Sequence, residues 1–151
     1  MKTNFKPWGR TIILIVSGFC LATCTNNLTP VPEGEYSTKI VGSWQGMVGN
    51  SKEKMSIKGD GTFNCQIYTM GFIANTLSEK TLPGTVFGTW KIAGKTISLR
   101  ITGSENERLR NRVAISNIES FKTDELILKS DNGGTSPFRR VRAFWFNTNV
   151  N

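Results

Sequence analysis

The chain has 151 residues, with 19 basic and 11 acidic groups, a formal charge of +8 and no histidine. That length suits one core rather than two, and the missing histidine removes the commonest general base and the commonest metal ligand together. No run of five or more like charges occurs, so the basic balance reads as solubility rather than as a dedicated polyanion surface.

The first ten residues, "MKTNFKPWGR", form a basic leader, and Thr11 to Ala22 is an apolar run of signal-peptide size. It is shorter than the roughly 20 apolar residues a spanning helix needs. Thr23, Thr25, Asn26 and Asn27 then end the apolar character. Within this frame "LATC", Leu21 to Cys24, resembles the lipobox of bacterial lipoproteins, with Thr23 where Gly, Ala or Ser is usual. The resemblance implies a signal peptide over residues 1–23, removed when Cys24 becomes the acylated first residue. Its fatty-acyl chains, palmitate among them, would hold the protein in a bacterial cell envelope, at the outer membrane and facing the periplasm. Cys20 follows the bulky Phe19 and falls in the leader. Lys2, Lys6 and Arg10 leave with it, so the charge drops from +8 to +5. Residues 24–39, rich in Asn, Thr and Pro, read as a flexible tether.

From Ile40 the pattern changes to short strands of period two separated by turn dipeptides. "IVGSWQGMV" supplies the first. Met55 and Ile57 then share a face, Gly59-Asp60-Gly61 turns the chain, and Phe63, Cys65 and Ile67 return on one face. Asn75 to Lys80 is the one stretch with helical character, good for a turn or two before Pro83. A second hairpin carries Trp90 and Ile92, a turn at Ala93-Gly94-Lys95, and Ile97, Leu99 and Ile101. Val113 and Ile115 are expected on the buried face of the next strand. The last hairpin has Leu126 and Leu128, a turn over Asp131 to Gly134, and Phe138 on the return. About eight strands in consecutive hairpins predict an all-β, antiparallel up-and-down meander closing into a barrel.

The ordered series Gly42-Ser43-Trp44, Asp60 to Phe63, Gly88 to Ile92 and Phe138 to Val141 resembles the bacterial lipocalin-like domains among the calycin-type small barrels. The resemblance covers residues 40–142. It implies a lipocalin-like domain over 40–146 with a tail at 147–151, in which Gly42, Trp44 and Arg140 close one end through a cation–π contact. A closed eight-stranded barrel either holds one small apolar ligand, with Met55, Phe63, Ile67, Trp90 and Leu99 as the candidate contacts, or fills itself with side chains. The alternative is a protein-recognition or inhibitor module that meets an envelope protein through rim loops 71–84 and 103–111. Phe144, Trp145 and Phe146 are read as a cap on the barrel. Catalysis, cofactors and metals are not expected: Cys65 sits at an inward strand position without a histidine, and no carboxylate pair stands out. Nor is nucleic acid expected as a partner, since Phe72, Phe87 and Trp145 share no register with the basic residues.

Overall fold

The tight turns fix where the chain reverses. At Gly61, φ is +83° and at Gly94 it is +56°, conformations in which a Cβ is strained, so the chain reverses there and the flanking alternation comes into register. The computed structural model describes residues 29–48, 51–68, 72–77 and 83–141. Its strands are β1 (Gly42–Val48), β2 (Ser51–Ile57), β3 (Thr62–Ile67), β4 (Gly84–Ala93), β5 (Thr96–Ser104), β6 (Val113–Lys122), β7 (Glu125–Ser130) and β8 (Thr135–Val141). Every strand pairs antiparallel with its sequence neighbour, and β8 returns to β1 with Trp44 opposite Arg140 and Gly46 opposite Phe138. The expected meander is therefore a closed eight-stranded barrel. Closure leaves no sheet edge exposed.

The two ends differ. One, the mouth, carries the β1–β2, β3–β4, β5–β6 and β7–β8 connections; the other, the floor, carries the three remaining turns, the start of β1 and the end of β8. Side chains of alternating strand positions fill the interior, among them Trp44, Met55, Ile57, Phe63, Ile67, Leu99, Ile101, Leu128 and Phe138. Apolar burial of this kind contributes roughly 25 cal/mol per Å2 and dominates the stability of such a barrel.

Three expectations need correction. In β6 the buried positions are Ala114, Ser116 and Ile118, while Ile115 faces solvent at 45% exposure. Register decides this: Ala114 pairs with Leu99 and Ser116 with Ile97, both inward on β5, and a one-residue slip to bury Ile115 would turn the whole strand over. An irregularity between Ile118 and Ser120 then shifts the parity, so that Phe121 points inward again. The helix near Asn75 begins earlier than its sequence suggests. Labelled α2, it spans Phe72–Leu77, and Phe72 and Ile73 are buried within the barrel.

The third correction concerns the tether. Residues 24–28 lie outside the described residues, but from Thr29 onward the chain is built onto the floor. Thr123 N–H donates to Thr29 O, Pro30 bridges Lys122, and Val31 N–H donates to Phe121 O at 2.9 Å. A 3-10 turn (Glu33–Glu35) and the short helix α1 (Tyr36–Lys39) follow. Tyr36 is buried with its ring 5.3 Å from that of Phe121, and Ile40 is fully enclosed. A Pro- and Asn-rich composition reads as linker, but two apolar side chains spaced to reach the open floor outweigh it. Cys24 and the aromatic run Phe144 to Phe146 lie outside the described residues.

Candidate functional site

At the floor, Arg140 lies across the Trp44 ring, its guanidinium carbon 4.2 Å from the ring centroid. Its nitrogens donate to three carbonyls, Val41 O at 2.9 Å, Thr123 O at 3.0 Å and Lys39 O. The Trp44 indole N–H donates to Ile40 O at 2.7 Å. A side chain at Gly42 would run into the Arg140 guanidinium, at a φ of +144° that already disfavours one. This end is a hydrogen-bonded plug in which the planar Arg fork and the ring fix one another.

The mouth is built differently. Among the described residues the buried polar side chains are Glu53, Ser104, Ser116, Ser130 and Ser136. Each lies within four residues of the mouth-side end of its strand. The floor half of the interior is lined by Trp44, Ile57, Phe63, Ile97, Phe121 and Leu126 instead. Ser104 and Ser130 serve their own turns, accepting from Asn106 N–H and bonding Gly134 O. Ser116 meets α2, with its hydroxyl 3.4 Å from that of Thr76.

Glu53 is the central group of this end. It is 2% exposed, inward on β2 because it shares strand parity with Met55 and Ile57. Its Oε1 accepts the Phe72 N–H at 2.8 Å and its Oε2 faces the Cys65 thiol at 3.8 Å. Burial pushes its pKa up to about 7, against the opposing pull of these two hydrogen bonds. Glycine at position 46 makes the space, since a Cβ there would stand 2.7 Å from the Phe138 ring and 2.9 Å from Glu53 Cγ. The Phe72 ring packs edge-on against Phe138, with centroids 5.7 Å apart. One helix residue thus occupies the mouth twice, through its ring and through its N–H.

The predicted ligand contacts divide. Met55, Phe63, Ile67 and Leu99 all point inward and are buried. Ile67 pairs with Glu53 and Met55 with Cys65, which brings these two to the mouth group. Trp90 is instead half-buried near the floor turn, donating its indole N–H to Lys58 O at 2.9 Å. Of the two expected contact loops, 71–84 sends Phe72 and Ile73 inward, while 103–111 buries Leu109 and exposes Glu105, Glu107, Arg108 and Arg110. Cys65 is buried, and both desolvation and the neighbouring Glu53 push its thiol well above the ordinary range. A thiol so placed is disarmed as a nucleophile.

Reading residues singly passed over Glu53. Its signal was present, as the one charged residue sharing the parity of an apolar strand face. Three clefts of about 460, 440 and 560 Å3 lie outside the interior, against the N-terminal segment, beside Arg139 and Pro137, and around Phe87 and Glu105. None includes Glu53 in its lining.

The barrel is lipocalin-like in architecture. That follows from its eight antiparallel strands in meander order, closed β1 to β8. A solved structure of a lipocalin-like protein from Bacteroides uniformis is similar to it, with 16% sequence identity over 68% of this chain and 99% of that chain and a TM-score of 0.47. No family model matches the sequence, and no curated protein does.

Proposed function

We propose that this protein is a non-enzymatic binding module of a bacterial cell envelope, anchored through Cys24, whose barrel takes a small apolar ligand at its mouth. The observation that carries the ligand reading is the way the mouth is filled. The side chains of Phe72 and Ile73, from a two-turn helix rather than from the barrel wall, occupy it. A short helix held by few contacts is the kind of element that opens at lower cost than the sheet around it. Displacing it exposes an apolar chamber bounded by Ile67 and Phe138, with polar groups at its rim.

The anchor reading rests on the lipobox-like "LATC" and the leader before it. Extended chain covers at most about 3.6 Å per residue, so an acylated Cys24 would keep Thr29 within ~18 Å of the bilayer. Because Thr29 docks on the floor, the mouth then faces away from the membrane.

The experiment uses the neutral dye Nile red and a reversible lock. Thr76→Cys with Ser116→Cys replaces two hydroxyls that are 3.4 Å apart, and oxidation then pins α2 to β6. The wild-type protein is expected to bind Nile red with a rise in fluorescence, and the oxidised double variant to lose that binding and regain it on reduction. A folded wild-type protein that leaves the dye in water at high micromolar concentration would sink the ligand reading.

A further inference from the structure

Phe72 carries, within one residue, a benzyl group and an N–H two carbons from its ring. This is the skeleton of 2-phenylethylamine. Its ring lies against Phe138 and its N–H donates to Glu53 Oε1. We propose that the mouth recognises a primary arylalkylamine, with the ammonium group paired to Glu53 and the aromatic group in the place of the Phe72 ring. The proposal rests on the barrel-binding reading above and names its ligand class.

The argument is one of replacement. When α2 leaves, Glu53 loses its best donor, and Ser116 loses the Thr76 hydroxyl. A carboxylate in an apolar chamber is costly unless it is paired and hydrogen-bonded. An ammonium brings three donors and the opposite charge, which replaces the Phe72 N–H at Glu53 and adds the pairing charge. Among the described residues, the groups seen against Glu53 are not cationic: β1 brings Gly46, α2 brings Phe72, and β3 brings Cys65, the facing titratable group, with Phe138 of β8 beside Gly46. Burial, the Phe72 N–H and the Cys65 thiol are the influences that set the protonation of Glu53. Lys54, next to it on β2, turns outward over the Tyr68 ring. A fatty acid would set two carboxylates against each other, so the same geometry disfavours it.

The Glu53 pKa of about 7 makes the preference pH-dependent. At about pH 8 the group is largely ionised and attracts the cation, whereas at about pH 5.5 it is largely neutral.

Isothermal titration of the whole protein with 2-phenylethylamine, 2-phenylethanol and 3-phenylpropanoate separates the cases. At about pH 8 the amine is expected to bind roughly tenfold or more tightly than the alcohol, and the acid weakest. That margin should shrink severalfold at about pH 5.5. Glu53→Gln should abolish the margin between amine and alcohol, and amine binding to the wild-type protein should speed hydrogen exchange at the Phe72 amide. Equal affinities for amine and alcohol at about pH 8, or a margin that persists in Glu53→Gln, would overturn the proposal while Nile red binding stands. If the Gln variant fails to fold, the wild-type pH series still decides, because a margin independent of pH also overturns it. Failure of Nile red and all three ligands together removes the barrel reading itself.

Discussion

Glu53 shows how much one side chain can set the character of an end. Its neighbours on the same face, Met55 and Ile57, are buried apolar residues, and a carboxyl in their company is held near neutrality by desolvation. The raised value makes the protonated form the one that folding prefers. Stability from this group is fully present below the unfolded value of 4.5, falls as pH rises, and is gone once pH passes about 7. The expected loss is on the order of 3 kcal/mol. Urea unfolding at about pH 4.5 and pH 8 should therefore show a fall in wild type that Glu53→Gln lacks, so that the variant is relatively more stable in alkali. A parallel fall in both proteins would assign the pH dependence elsewhere. Cys65, by contrast, stays a core residue whose thiol is pushed further from ionisation by the same neighbour.

Among the elements, the most instructive is the segment before β1. By composition it is a linker, yet Val31, Tyr36 and Ile40 are buried on the floor and two backbone hydrogen bonds join it to the β6–β7 end. Removing one aromatic anchor should tell the two descriptions apart. Tyr36→Ala is expected to cost about 3 kcal/mol in urea unfolding, as for other buried aromatic truncations; a loss under about 0.5 kcal/mol would mean that the segment only rests on the surface. Strand parity was legible in β3 and β5, and in Met55-Ile57 of β2 and Leu126-Leu128 of β7, where apolar residues alternate. It misled in β6, where Val113 and Ile115 are both apolar but the partner strand and the shift near Ile118 demand the other face. Helix α2 could not be placed from its own residues, because its start depends on a carboxylate from β2 and a ring from β8.

For the whole molecule, closure gives the barrel a direction. The N-terminal segment and the Trp44–Arg140 plug share the floor, and α2 with the buried carboxyl shares the mouth. The proposed anchor would add the membrane on the floor side, with the mouth turned outward. Mass spectrometry of protein extracted from its native membrane tests this: a chain beginning at acylated Cys24 is expected, and an intact leader or an unmodified mature chain would remove the anchor. The outward mouth is also the arrangement in which a ligand reaches Glu53 without crossing the bilayer interface.

Local rules sufficed for much of this protein. Turn glycines, period-two alternation and the spacing of hairpins determined from sequence alone that the chain is an antiparallel meander, since each of these is a property of adjacent residues. The lipobox-like stretch is equally local. Which face of β6 is buried, where α2 begins and what Thr29 to Ile40 pack against were decided only by the closed barrel. Each depends on a partner far away in the chain, and no local pattern encodes the distance at which Phe72 N–H meets Glu53.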